Sequence, residues 1–131
     1  MNSYLPWLAA VAFVLYSVAV LYVADSLRKY LWLFPVALLF TFAAFSLYAV
    51  LTEGIFGFWA EHTRNTWGNQ IWFDLLLAVG IGWGLAMPRA RALGMRPLPW
   101  LLFIICTGSI GFLAMLARIL YLENQSRTKS T

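Results

Sequence analysis

The stretch Tyr30–Thr52, YLWLFPVALLFTFAAFSLYAVLT, contains no charged side chain and decides the class of the fold. A helix needs about 20 consecutive apolar residues to cross a hydrocarbon core that is about 30 Å thick. Because this stretch is long enough to do so, it predicts a transmembrane helix.

Most of the remaining chain is just as apolar. Its 131 residues are 63% hydrophobic and 11% charged, whereas soluble domains are roughly 45–50% apolar and about 25% charged. This composition excludes a water-soluble globular domain. We therefore expect an all-α integral membrane bundle of four transmembrane helices, at about 4–24, 31–52, 68–87 and 98–121. Residues 1–123 then form one domain, and residues 124–131 form a polar tail.

The first of these stretches resembles a signal peptide only superficially. No basic residue precedes it, and it is longer than the usual signal core of roughly 7–15 residues. We therefore interpret it as the first span.

The orientation in the membrane is predicted by Lys and Arg in short loops, which stay on the cytoplasmic side. One side of the predicted bundle collects Arg28, Lys29, Arg89, Arg91 and Arg96, and the other collects Arg64, Arg127 and Lys129. This count predicts that the first group faces the cytoplasm of a bacterium. Both termini and the loop 53–67 then lie on the periplasmic side of its inner membrane.

Two ionisable residues fall inside predicted spans, where charge is costly and often functional. In antiparallel spans Asp74 and Arg118 lie at similar depth, so we expect an ion pair between them. The outer half of the bundle then gathers a polar cluster of Tyr48, Glu53, Gln70, Asp74 and Arg118. Two interpretations stay open: the cluster locks the helices together, or it lines a cavity for the polar head of an apolar molecule.

Small residues recur in the last two spans at helical spacing, which allows helices to approach closely in lipid. Gly80 and Gly84 have this spacing, and the run Thr107, Gly108 and Gly111 adds a small, partly polar stripe. The glycine-rich stretch GIGWG at residues 80–84 lacks the preceding strand that a phosphate-binding loop requires. The two glycines and the three residues of the stripe are therefore predicted to pack helices.

The sequence contains no catalytic signature, so we assign no catalytic residue. Glu61 and His62 invite a metal site, but His62 is the only histidine and adjacent residues rarely coordinate together. Cys106 has no partner for a disulfide, because it is the only cysteine. We therefore expect no metal site. The basic residues lie in loops between apolar runs, so we expect no nucleic-acid binding either.

The second half of the chain resembles a family of small bacterial membrane proteins classed as a domain of unknown function. The motifs are WFDLLLA at Trp72–Ala78, RARALG at Arg89–Gly94, PWLL at Pro99–Leu102 and TGSIG at Thr107–Gly111, followed by Arg118. The family is itself similar to the plant membrane protein linked to neoxanthin formation in abscisic-acid synthesis. In these families the last span has the form Gly-Ser-x-Gly-Pro-Leu-x-Tyr-Leu. This chain has Phe112 where the proline is expected and Met115 near the position of the tyrosine.

The resemblance covers roughly residues 38–121. It implies the topology of spans two to four and singles out Asp74, but it implies no established activity for the bacterial members. The carotenoid link of the plant relative is an analogy, because similar folds host different functions.

Three functional hypotheses follow. The first is a non-enzymatic accessory subunit of a larger membrane complex, or a module that binds a lipid, quinone or carotenoid; its partners are the bilayer and other membrane subunits.

The second hypothesis is an enzyme acting on an isoprenoid or carotenoid, with Asp74 or Glu53 as acid or base. Acid catalysis needs a protonated carboxyl, which an arginine partner opposes. The third is a small proton-coupled exporter, but such exporters have a glutamate in the first span, and this chain has none there.

Overall fold

The computed structural model describes residues 4–130, with all their side chains except that of Ala19. Over these residues the chain is mostly helical and contains no strand, which confirms the predicted all-α class. It divides into two compact units, Met1–Leu31 and Trp32–Thr131. The elements are α1 (Leu5–Tyr22), a 3-10 helix (Asp25–Tyr30), α2 (Leu33–Glu53), α3 (Gly57–Thr63), α4 (Thr66–Ala92), α5 (Pro97–Thr107) and α6 (Ser109–Lys129).

Among the described residues, three helices are long and apolar enough to cross a membrane, namely α1, α2 and α4. They correspond to the first three predicted spans. In the first unit α1 carries a proline in its first turn, where a missing N–H is tolerated. In the second unit α4 extends beyond its predicted end and contains Pro88 within the helix.

The predicted fourth span at 98–121 is not one helix. Gly108 separates α5 from α6. Its backbone angles are φ +61° and ψ −125°, a conformation that residues with a side chain rarely adopt. The backbone of Gly111 then comes so close to that of Ile104 that an added Cβ would lie 3.0 Å from the Ile104 Cα. Residues seven apart in a continuous helix are about 10 Å apart. The chain therefore reverses direction at Gly108, and α5 and α6 form a helical hairpin.

The hairpin makes α6 parallel to α4 rather than antiparallel. Gly82 of α4 lies against the ring of Phe112, and Arg89, further along α4, reaches Glu123, further along α6. The contacts advance in the same direction on both helices. The ends of α4 and α6 consequently lie on the same side of the second unit.

The core of the second unit lies at this shared end. Met115 and Ile119 of α6 are fully buried, and Ala90 of α4 is 1% exposed. The buried apolar cluster comprises Ala86, Met87, Ala90, Met95, Ile104, Met115 and Ile119. Because α4, α5 and α6 all contribute to it, apolar contacts hold the hairpin against the end of α4.

Within the second unit, α2 packs along α6, and α3 packs along α4. The α2 helix begins beside the far end of α6, where the Trp32 and Tyr121 rings lie 5.4 Å apart edge to face. It therefore runs antiparallel to α6. The polar segment 124–131, predicted to be a tail, continues α6 as far as Lys129.

Candidate functional site

One concave surface among the described residues is an open groove between α2 and α3. It has a volume of about 270 Å³. Its walls are mainly aromatic and aliphatic, with two carboxylates. The lining residues are Phe42, Phe45, Ser46, Ala49, Val50, Glu53, Gly54, Ile55, Gly57, Phe58 and Glu61. We call this set the groove.

Two glycines shape the corner where α2 turns into α3. Gly54 follows the last residue of α2 with φ +83°, and its N–H donates to the carbonyl of Val50 at 2.9 Å. A Cβ on Gly57 would lie 3.2 Å from the Cβ of Glu53. The absence of side chains at these positions therefore lets α3 turn closely against the end of α2.

The start of α4 holds the other side of α3. The Trp72 ring lies 4.9 Å from the ring of His62 and 6.1 Å from that of Phe58. Gly68 is buried against the backbone carbonyls of Glu61 and His62, where a side chain would not fit. The side chain of Asn65 caps α4 by accepting from the Gly68 N–H at 2.8 Å. These contacts hold α3, which forms one wall of the groove, against the start of α4.

The two carboxylates at the groove differ in their surroundings. Glu61 lies 3.4 Å from Arg64, and both side chains are more than half exposed. Glu53 makes no ion pair or hydrogen bond with another of the described residues through its carboxylate. The groove therefore combines an apolar interior with one uncompensated negative charge.

The opposite end of the unit is basic and closed. Arg89 donates two hydrogen bonds to Glu123, from Nε to Oε1 at 2.8 Å and from Nη2 to Oε2 at 2.7 Å. These bonds, together with the charge of Arg89 and then that of Arg127, outweigh partial burial and lower the pKa of Glu123 below its ordinary value. The last turns of α4 and α6 and the segment between α4 and α5 carry five basic residues, which define the basic end: Arg89, Arg91, Arg96, Arg127 and Lys129.

The predicted ion pair between Asp74 and Arg118 is not formed. Asp74 lies eight residues before Gly82 on α4, and Arg118 lies six residues after Phe112 on α6. Since Gly82 and Phe112 are in contact and the helices are parallel, the two charges are about 20 Å apart along the helix axes. The prediction assumed antiparallel helices, and the hairpin at Gly108 removes that assumption.

The other members of the predicted polar cluster are not drawn together either. Tyr48, Gln70 and Asp74 are exposed, and no hydrogen bond or ion pair within residues 4–130 joins two members of the cluster. Of the five, Glu53 alone lines the groove. The prediction missed the rest of the groove because it treated 53–67 as a loop, although Gly54 and Gly57 on either side of apolar residues signal a turn into a short helix.

The predicted packing residues have different roles within the chain. Gly82 contacts α6, whereas Gly80 and Gly84 face open space. Gly108 forms the turn. The Thr107 hydroxyl donates to the Phe103 carbonyl at 2.7 Å and accepts from the Gly111 N–H at 3.0 Å. Packing of Gly80 and Gly84 against another protein stays a prediction.

Within the part of the chain that the structure describes, no three His, Cys, Asp or Glu residues come together as metal ligands would. No protein-family model matches the chain, and neither a curated protein nor a solved structure matches it. The function therefore has to be argued from the geometry of this chain alone.

Proposed function

We propose that this protein binds one end of a long apolar molecule in the groove between α2 and α3 and does not transform it. The observation that carries the proposal is the groove itself, whose lining combines aromatic and aliphatic side chains with two carboxylates. Ligand pockets are mostly apolar with a few polar groups that orient the ligand. A lipid chain, a quinone tail or a carotenoid end has the matching chemistry.

The size of the groove limits how much of the ligand it holds. Pockets for drug-sized molecules measure roughly 300–1,000 Å³, and this groove measures about 270 Å³. It therefore takes one chain or ring, while the rest of the molecule stays in the bilayer or on another membrane subunit.

The hairpin changes the orientation that we propose for the chain. If α5 and α6 enter and leave the membrane on one side, the C terminus joins Arg89, Arg91 and Arg96 on that side. The α5 helix has 11 residues, a length typical of a re-entrant segment rather than a span. At the other end of the unit, Arg64 is the basic residue next to the groove. The positive-inside rule then favours a cytoplasmic C terminus, with the groove on the outer side.

A titration tests ligand binding. The protein in mild detergent is titrated with a long-chain quinone, which quenches tryptophan emission. Ala49→Phe fills the groove, whereas Leu47→Phe adds the same ring at an exposed position outside it. We expect saturable quenching for the wild type and Leu47→Phe, and at least tenfold weaker binding for Ala49→Phe. Equal binding by all three proteins, or quenching that never saturates, contradicts the proposal.

An isoprenoid-transforming enzyme is the second candidate, and one observation favours it. Asp74 has no arginine partner among the described residues, so the objection that such a partner would oppose acid catalysis no longer applies. The test compares isoprenoid extracts from a deletion strain and an Asp74→Asn strain. Loss of one product with accumulation of its precursor in both strains would favour the enzyme over the binding protein.

A further inference from the structure

Arg118 is a cation in the middle of an apolar helix surface. It is exposed, and it is the only charged residue between Ser109 and Leu122. Within the described residues its side chain makes no ion pair and no hydrogen bond. A lone arginine charge in hydrocarbon is costly unless it reaches the interface or meets an anion.

None of the acidic side chains in residues 4–130 forms an ion pair with Arg118. Asp74 is about 20 Å away along the helix axes. Glu123 lies on the same helix, but Arg89 occupies both of its carboxylate oxygens, at 2.7 and 2.8 Å. Neither of these carboxylates compensates Arg118, which leaves its guanidinium open to an anion from outside the chain.

The surroundings of Arg118 are basic as well as apolar. It lies five residues before Glu123 on α6, about 7.5 Å below the basic end along the axis. Arg91, Arg96, Arg127 and Lys129 are exposed there, and none of them forms an ion pair with a described residue. Long arginine side chains reach toward the interface while their methylene stems stay in the apolar region.

From these observations we infer that the basic end, together with Arg118 below it, binds the head group of an anionic phospholipid. The lipid phosphate meets the Arg118 guanidinium, and the acyl chains lie along the apolar surface of α6. A soluble anion lacks the chains that would hold it at this depth. Clusters of basic residues beside a membrane helix attract anionic lipids, with about fivefold in affinity for each residue near the surface.

Delipidated protein in mixed micelles, titrated with phosphatidylglycerol or phosphatidylcholine that carries a fluorescent label, tests the inference. We expect the wild type to prefer phosphatidylglycerol. Arg118→Gln reduces that preference about fivefold or more, and Arg64→Gln, a matched change beside the groove, leaves it unchanged. The preference also falls as salt rises from about 0.05 to about 0.5 M.

Three results would overturn the inference: equal binding of the two lipids, unchanged binding by Arg118→Gln, or displacement of the lipid by an equal concentration of inorganic phosphate. The last result would mean a simple anion site. If Arg118→Gln does not fold, the double variant Arg91→Gln/Arg96→Gln, outside the apolar part of α6, takes its place. An unchanged lipid preference in that variant counts equally against the inference.

Discussion

The two ends of the second unit differ in how completely their apolar side chains are buried. At the basic end, α4, α5 and α6 bury Met115 and Ile119 completely and join Arg89 to Glu123. At the other end, α2 turns into α3 at Gly54, and aromatic side chains stay partly exposed around the groove. Phe45, for instance, is 49% exposed. The difference indicates that stability is concentrated at the basic end, while the groove end has room for a ligand.

The largest expected contrast comes from shortening one apolar side chain at each end. Met115→Ala removes a fully buried side chain, and such changes cost about 2–5 kcal/mol. Phe45→Ala shortens a half-exposed groove residue and should cost less than about 1 kcal/mol while it weakens ligand binding. Unfolding of the protein in mixed micelles with increasing denaturing detergent measures both. Equal losses of stability would remove the contrast between the ends.

A glycine pair sharpens the comparison at the hairpin. An added Cβ at Gly111 would lie 2.8 Å from the Thr107 Oγ1 and 3.0 Å from the Ile104 backbone. Overpacking of this kind costs about 1–3 kcal/mol. Gly84→Ala places the same methyl group in open space and should leave stability unchanged or raise it by about 0.4–1 kcal/mol. The same unfolding assay decides, and a neutral Gly111→Ala would argue against the tight turn.

The ion pair across the basic end is expected to contribute less. Its side chains are 48% and 29% exposed, so solvent screens the interaction, and we expect a coupling energy of about 1 kcal/mol. A double-mutant cycle with Arg89→Gln and Glu123→Gln measures it. The cycle Arg64→Gln and Glu61→Gln, on a pair with both partners more exposed, should give a smaller value. Additive losses at Arg89 and Glu123 would mean that the pair does not couple α4 to α6.

The smallest effect is a pH dependence at the same pair. The pKa of Glu123 is lower in the folded chain than its ordinary value, mainly because Arg89 donates to the carboxylate. Its contribution to stability is therefore complete above about pH 4.3 and is lost as the pH falls through the lower folded value. Thermal midpoints of the wild type should fall more steeply than those of Glu123→Gln over this acidic range. Parallel pH curves would contradict this account.

The sequence predicts the apolar helices well because hydropathy and length suffice to recognise α1, α2 and α4. It does not predict the break at Gly108. In an apolar run, a glycine with positive φ cannot be distinguished from one that packs against a neighbouring helix. Pro97 and Pro99 mark where α5 begins, but not that it ends after 11 residues.

That one break accounts for most of what was missed in the candidate site. The pairing of Asp74 with Arg118 depended on antiparallel spans. The groove was missed for a different reason. Glu53 was selected for its charge, whereas Phe45 and Phe58 were indistinguishable from lipid-facing aromatic residues until α3 was placed.

Reversal at Gly108 is the central claim, and cysteine accessibility tests it most directly. In a Cys106→Ser background, single substitutions Ala92→Cys, Ser130→Cys and Thr63→Cys place thiols at the end of α4, after α6 and at the end of α3. Sealed vesicles are treated with a membrane-impermeant maleimide before and after disruption. A hairpin predicts that positions 92 and 130 label from the same side and position 63 from the other. Labelling of position 130 from the same side as position 63 would mean that the last segment crosses the membrane, and it would contradict the account.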